Sequence, residues 1–296
     1  MEFSEKYKLE KRLGAQRKRK FGEIFLASDM QSGKKVVLKA VRTKADDPTN
    51  ADRLRAEASF SFDFEGLPKT LDFEKTESNL FLVREFVEGI PLDEFWAKLK
   101  RRQRLPFVIE LLEKLQAIFT HLKASDVVHC DIKPSNILIA QKEDSFKVHL
   151  LDFGLSIRTL EIEENKARKL LFPLGFAAPE LLLNHLELVD HRTDVFALGV
   201  VIWRLYAGKL PLIHPNPSVF TNLQLTHPLP EHSDISNKVY KILLKMSHKH
   251  QFKLPPNKMD HQEVNALLIS AMNERYDSLE EVIQAFKSIK NKRFWK

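Results

Sequence analysis

The hydrophobic period of this chain changes once, near Glu88–Gly89, and that change limits the folds open to it. Before it, apolar and polar residues alternate, the two-residue period of half-buried strands. Phe21 to Ala27 alternates, Gln31-Ser32-Gly33-Lys34 supplies a turn, and Lys35 to Val41 is rich in β-branched residues, which predicts a hairpin. Asp52 to Phe62 suits one short helix, and Leu71 to Phe73 and Leu80 to Phe86 predict two further strands around the polar turn Glu77-Ser78-Asn79. After Gly89-Ile90-Pro91 the spacing becomes helical. Leu105 to Ser125 carries Ile109, Leu112, Leu115, Ile118, Phe119 and Leu122 on one stripe. Short strands are predicted at Val127-Val128, Ile137 to Ile139 and Val148 to Leu151. Helices are predicted at Pro179 to His185, Asp194 to Tyr206, Asn237 to Met246, His261 to Ala271 and Ser278 to Lys290. A sheet and a helical assembly of this size need separate cores, so the chain divides into a β-rich lobe over residues 1–88 and a helix-rich lobe over 89–296.

Composition narrows the class. Apolar residues make up 43% and charged residues 29%, which is globular usage and excludes long-range disorder. The longest apolar run, Val195 to Trp203, is about half of the roughly 18 residues a membrane span needs. Met1 to Lys6 is charged with no apolar stretch behind it, so no secretory signal is expected and the expected location is cytoplasmic. A single cysteine, Cys130, excludes an internal disulfide and a cysteine-based zinc site. The net charge of +7 gathers in Arg17 to Lys20 and in Lys98, Lys100, Arg101, Arg102 and Arg104. The second cluster fits a solvated helix face or loop. No aromatics alternate with either run as in single-strand stacking platforms, so nucleic acid is not an expected partner.

Three oxygen-bearing side chains stand out by order and spacing. His129-Cys130-Asp131-Ile132-Lys133-Pro134-Ser135-Asn136 lies between a helix and a short strand, and sixteen residues after Asn136 comes Asp152-Phe153-Gly154, directly after a strand. Hard cations such as Mg²⁺ take oxygen ligands, usually one or two from protein, with phosphates and waters completing the shell. Singly, Asp131, Asn136 and Asp152 each pass as turn or cap residues; together, in this order, they do not.

With these motifs the chain resembles the eukaryotic-type protein kinase family, in its Ser/Thr branch, from about Tyr7 to Lys290. The resemblance implies an α+β, bilobal fold: a small antiparallel β-rich N-lobe with one regulatory helix, and a larger, mainly helical C-lobe. It implies ATP and Mg²⁺ as cofactors and a protein as substrate. His129-Cys130-Asp131 resembles the catalytic-loop triplet, which makes Asp131 the base that takes the substrate hydroxyl proton. Lys133 resembles the lysine beside the γ-phosphate, and Asn136 and Asp152 the two metal-holding residues. Ala178-Pro179-Glu180 resembles the end of the activation segment, Asp194 the aspartate that braces the catalytic loop, and Arg275 the arginine that pairs with Glu180. In the N-lobe, Val37-Leu38-Lys39 resembles the strand whose lysine grips the α- and β-phosphates. Glu57, eighteen residues on, is its expected partner, with Glu65 a weaker candidate. Gly14, Gly22, Ile24 and Val37 take the positions that cover the nucleotide, and backbone groups of Glu85 and Val87 those that meet the adenine edge.

The chain departs from the family pattern in four places. The glycine-rich loop lacks its middle glycine and carries an insertion holding Arg17 to Lys20, either a contact for phosphates or an acidic partner, or a solvated tip. Cys130 replaces the arginine that usually pairs with a phosphorylated activation segment, and Leu155 to Ala177 offers only Ser156 and Thr159 as hydroxyl acceptors. Activity without activation-segment phosphorylation is therefore expected, with Cys130 an inert buried thiol rather than a redox handle. Phe172-Pro173 stands where the family has Gly-Thr. Arg84 stands at the neutral position before the hinge, where it needs Glu57 or Glu85 as partner or must turn to solvent. These departures favour a rival reading, a pseudokinase acting as nucleotide-binding scaffold. The presence of Lys39, Glu57, Asp131, Lys133, Asn136 and Asp152 together opposes it. A small-molecule phosphotransferase of the aminoglycoside type shares the His-x-Asp pattern but lacks the Asp-Phe-Gly and Ala-Pro-Glu pair.

Overall fold

The computed structural model describes residues 3–13, 22–43, 49–143, 145–161, 170–252 and 254–291. Gly14, the Arg17–Lys20 cluster and the Arg293–Lys296 end lie outside the described residues. The fold is α+β with two lobes. The N-terminal lobe is an antiparallel sheet of β1 (Tyr7–Leu13), β2 (Glu23–Asp29), β3 (Lys35–Arg42), β4 (Thr70–Lys75) and β5 (Asn79–Glu85) in the order β1-β2-β3-β5-β4. Helix α1 (Thr49–Ser59) crosses from β3 to β4.

Because side chains alternate across a pleated sheet, register decides which residues face α1. Lys39 pairs with Ile24 on one side and Leu82 on the other, and Val37 pairs with Arg84. Leu80, Leu82 and Val41 form a buried cluster with Ala51 and Leu54 of α1. Lys39 and Arg84 thus share the face of the sheet that α1 covers. Ala27, Val36, Leu38 and Val83 form a second cluster, with Tyr7, Phe25 and Phe81 packed against it. Gly22, at the mouth of β2, has φ +87, and a Cβ there would lie 2.6 Å from the Ala40 carbonyl oxygen. Only glycine fits that approach.

Beyond the strand β6 (Ile90–Pro91) come α2 (Leu92–Ala97) and α3 (Arg101–Ala124). Helix α3 starts four residues before the expected Leu105, because Pro106 is accommodated within its second turn and Gln103 accepts from the Lys100 amide to cap the start. Two small β pairings follow. Strand β7 (Val127–Val128) pairs with β10 (Ile157–Arg158), and β8 (Ile137–Gln141) forms a hairpin with β9 (Phe146–Leu150) while also pairing with β6. Then α4 (Pro179–Leu182), α5 (His191–Ala207), α6 (Pro217–Thr226), α7 (Asn237–Met246), α8 (His261–Asn273) and α9 (Leu279–Asn291) complete the lobe. The apolar run Val195–Trp203 is the middle of α5, buried throughout in the main core with α3, α7 and α9 around it. No helix among the described residues is long and apolar enough to cross a membrane.

One buried ion pair ties α4 to the connection between α8 and α9. Arg275 donates to both Glu180 oxygens, at 2.7 and 3.0 Å, and Thr193 donates to the same carboxylate at 2.9 Å. Both charged side chains are 0% exposed, and Arg275 also donates to the His248 carbonyl and lies over the Phe196 ring. Removing one member of such a pair strands the other charge in the core. Arg275→Met is expected to cost about 3–5 kcal/mol in denaturant unfolding, and Glu180→Leu with Arg275→Met less than either change alone.

Candidate active site

The hairpin of β8 and β9 brings distant residues together. Ile137 pairs with Leu150, and the Leu151 amide donates to the Asn136 carbonyl at 2.8 Å, so Asn136 and Asp152 emerge side by side at one end of it. The loop from His129 to Lys133 reaches the same point because Asp194, in the first turn of α5, accepts from the His129 amide at 2.8 Å and the Cys130 amide at 2.9 Å. These bonds hold Cys130 at φ +62, a left-handed conformation that a non-glycine residue adopts only under constraint. Burial pushes the Asp194 carboxyl up to about 7 in spite of the two amide donors.

His129 fixes the other side of the loop. The Asp131 amide donates to Nδ1, so Nε2 carries the proton and donates to the Leu151 carbonyl at 3.0 Å. Burial, opposed by that bond, pushes the imidazole down to about 4, which keeps Nδ1 free to accept. The ring meets Phe153 edge-on at 4.8 Å, and Phe153 packs on Phe60 and Phe62, directly after α1. An aromatic column thus joins the His129–Lys133 loop to the N-terminal lobe.

Asn136 Nδ2 donates to the Asp131 carbonyl at 2.9 Å and to its Oδ2 at 3.0 Å. Lys133 Nζ lies 2.8 and 2.7 Å from the two Asp131 oxygens. Burial raises the Asp131 pKa against the pull of Lys133, so the group is more basic than an ordinary aspartate. Asp152, at φ +67, behaves oppositely: burial raises it, but Lys39, Arg53 and Lys133 outweigh burial and hold the carboxyl well below the usual range. Lys39 Nζ bonds both Glu57 oxygens at 2.7 Å and approaches Asp152 at 3.6 Å. Glu65 instead pairs with Lys147 at the surface. Of the remaining expected residues, Ile24 and Val37 lie on the Lys39 face and are half-buried, Glu85 is exposed at the end of β5, and Val87 is half-buried just beyond it.

Two arginines complete the site. Arg84 takes Glu57 and not Glu85 as partner, and does so mainly through the backbone. It is 5% exposed, and its guanidinium donates to the Glu57, Phe60 and Pro68 carbonyls at 2.7, 3.1 and 3.1 Å. Nε approaches Glu57 Oε1 at 3.3 Å without hydrogen-bond alignment, and the head group lies 5.9 Å from the Phe153 ring centre. Arg84 is therefore a cationic cap on the C-terminus of α1, where helix carbonyls lack partners. Arg53, one turn before Glu57, reaches both Asp131 and Asp152. Glu57 was one of the two partners expected for Arg84, but the Arg84 contacts to the Phe60 and Pro68 carbonyls and both Arg53 contacts had no sequence signal.

A family profile described as "Protein kinase domain" matches residues 7–262. The chain is 29% identical over 209 residues to serine/threonine-protein kinase pkn2 of Myxococcus xanthus, a match covering 67% of this chain and 24% of that one. It is 29% identical over 200 residues to serine/threonine-protein kinase PknA of Mycobacterium tuberculosis, covering 64% of this chain and 44% of that one. With serine/threonine-protein kinase PrkC of Bacillus subtilis it shares 26% identity over 194 residues, 64% of this chain and 28% of the relative. The chain thus spans less than half the length of these relatives.

Arg84→Leu withdraws a donor from three buried carbonyls, of which those of Glu57 and Phe60 keep the Phe60 amide and the Thr70 hydroxyl, and is expected to lower stability by about 1–3 kcal/mol in urea unfolding. Arg84→Lys should recover only part of this, because an ammonium cannot fork to the three acceptors.

Proposed function

The chain belongs to the protein kinase domain family, and we propose that it transfers the γ-phosphate of ATP to serine or threonine hydroxyls of a protein substrate. The observation that carries this reading is the meeting of Asp131 with Asn136 and Lys133, of Asp152 with Lys39, and of the two carboxylates through Arg53. Residues 1–88 are the ATP-binding lobe and 89–296 the catalytic lobe.

The donor set suits a hard divalent cation. Asp152 is held ionised, and Asn136 spends its Nδ2 on Asp131, which leaves an amide oxygen for a metal. Asp152 and Asn136 would hold Mg²⁺, which when bound neutralises phosphate charge. Lys39, kept extended by Glu57, meets the α- and β-phosphates. Gly14, Gly22, Ile24 and Val37 cover the nucleotide, and backbone groups of Glu85 and Val87 pair with its adenine edge. The substrate hydroxyl oxygen forms a bond to the γ-phosphorus as the bond from that phosphorus to the bridging oxygen breaks and ADP leaves. Asp131, which burial makes more basic, orients the hydroxyl and takes its proton; Lys133 stabilises charge on the phosphoryl oxygens.

Activation-segment phosphorylation is not required in this reading. Cys130 is 3% exposed and lies in an apolar cluster with Val128, Ile157, Ala177, Leu181, Leu186 and Val189, with Phe172 packed against it. Ser156 is fully buried and donates to the His129 carbonyl. The contact that a phosphate and arginine would make is replaced by apolar burial.

With γ-labelled ATP, Mg²⁺ and a generic basic protein, the wild type is expected to place acid-stable label on serine or threonine. Asp131→Asn should reduce the rate by about 10²–10⁴-fold, and Asp152→Asn by at least as much. Phosphatase pretreatment should leave the wild-type rate unchanged. Absence of transfer by the wild type would overturn the catalytic reading.

A further inference from the structure

Arg53 touches both carboxylates on which the proposed reaction depends. It lies on the same face of α1 as Glu57, four residues ahead of it, the spacing that places two side chains over one another on a helix. While Glu57 reaches Lys39, Arg53 Nη2 lies 3.2 Å from Asp131 Oδ2 and 3.4 Å from Asp152 Oδ2. Its side chain is only 14% exposed. Gly154 makes this approach possible: a Cβ there would lie 2.6 Å from Arg53 Cγ and 2.7 Å from Nε. The bare backbone of Gly154 is the floor on which the arginine stem rests.

Each of the two oxygens has other work in the proposed reaction. A divalent cation needs the Asp152 carboxylate, and a guanidinium, which carries only donors and a fixed positive charge, competes for the Oδ2 it occupies and repels an incoming cation. The hydroxyl proton needs the Asp131 carboxylate, whose basicity a neighbouring cation lowers. Lys133 serves Asp131, and Lys39 serves Asp152 and Glu57; Arg53 joins Asp131 to Asp152. We propose that Arg53 is a further active-site residue, a resident counter-ion of Asp131 and Asp152 that a divalent cation must displace from both. Displacing Arg53 from Asp152 would also withdraw it from Asp131, leaving that carboxylate with Lys133 as its remaining cation. Arg53 sets a metal threshold for the site, and its release leaves a forked cation beside incoming phosphates. This inference rests on the kinase reading only in taking Asp152 as a metal ligand.

The test is direct binding of Mn²⁺, followed by electron paramagnetic resonance and calorimetry, with and without a non-hydrolysable ATP analogue. Wild type, Arg53→Gln, Arg53→Lys, Gly154→Ala and Asp152→Asn are compared, with melting temperatures measured beside them. Arg53→Gln is expected to bind Mn²⁺ about tenfold more tightly, the lower end of what one opposite charge does to a carboxylate's affinity for a cation. Arg53→Lys, which can reach one carboxylate but not bridge both, should fall between. Gly154→Ala should act in the same direction as Arg53→Gln by pushing the stem aside with its charge intact, and it keeps the proposal testable where Arg53→Gln fails to fold. Equal or weaker Mn²⁺ binding in folded Arg53→Gln overturns the proposal and leaves the kinase reading standing. Absence of Mn²⁺ binding in the wild type and in every variant, with and without nucleotide, overturns both.

Discussion

The Asp194 carboxylate is the point from which the site is held. It is almost fully buried, sits in the first turn of a helix that is itself the centre of the larger core, and accepts two successive backbone amides from the His129–Lys133 loop. Those amides belong to His129 and Cys130, and the second is in a left-handed conformation that costs about 1–2 kcal/mol for a residue with a Cβ. A loop carrying such strain keeps one shape only when its surroundings over-determine it. The Asp194 bonds, the His129 bond to Leu151 and the Ser156 bond to His129 do so. Asp131, next in the chain, is placed by these constraints together with its own bonds to His129, Lys133 and Asn136.

The N-terminal lobe meets this fixed point through charge. Lys39, Arg53, Arg84 and Lys133 face Glu57, Asp131 and Asp152, four basic side chains against three carboxyls by formal charge. Glu57 is 2% exposed and receives Lys39 through both oxygens while Arg84 holds the helix end that carries it. A buried carboxylate with such partners keeps α1 in one position, because losing either cation would leave charge or carbonyls unsatisfied. The excess of one positive charge suits a site for an anionic ligand. Arg84, which the sequence presented as an anomaly beside the adenine pocket, is therefore part of the brace for α1.

Much of this architecture was legible because period and motif are local. The β2–β3 hairpin, β5, α7 and the Asp131–Asn136–Asp152 order follow from spacing within a few residues of each chemical group. Elements without a local period were not legible. Strand β1 reads Tyr-Lys-Leu-Glu-Lys-Arg-Leu and is exposed along five of its seven positions, so alternation between buried and exposed residues never arises. Helix α2 is too short for a stripe, and α6 buries only Gln224 and Leu225. Helix α1 begins at Thr49 rather than Asp52, its buried face being set by contacts with β3 and β5. The basic cluster at Lys98 to Arg104 opens α3 as an exposed turn, except that Arg104 turns back over Trp96. Arg53 could not be assigned because its partners are 78 and 99 residues away on other elements, whereas charge alone narrowed Arg84 to Glu57 or Glu85 without showing its backbone acceptors.

The two departures around the activation segment become one feature in three dimensions. Cys130 and Phe172 are 42 residues apart in sequence, yet both belong to the apolar cluster that seats the segment against β7, β10 and α4. An arginine paired with a phosphate is a switchable anchor, since the modification adds the charge that makes it. A cluster of buried aliphatic and aromatic side chains has no such handle: its strength follows apolar area and is insensitive to phosphatase or moderate salt. Control in a site anchored this way must act on groups that remain ionic and partly accessible. The contacts of that kind here lie between α1 and the Asp131 and Asp152 carboxylates, where Arg53 at 14% and Asp152 at 27% exposure are within reach of solvent and ions. With the activation-segment side held by apolar burial, the ionic contacts between α1 and these carboxylates are the ones that a change in salt or bound ions can reach.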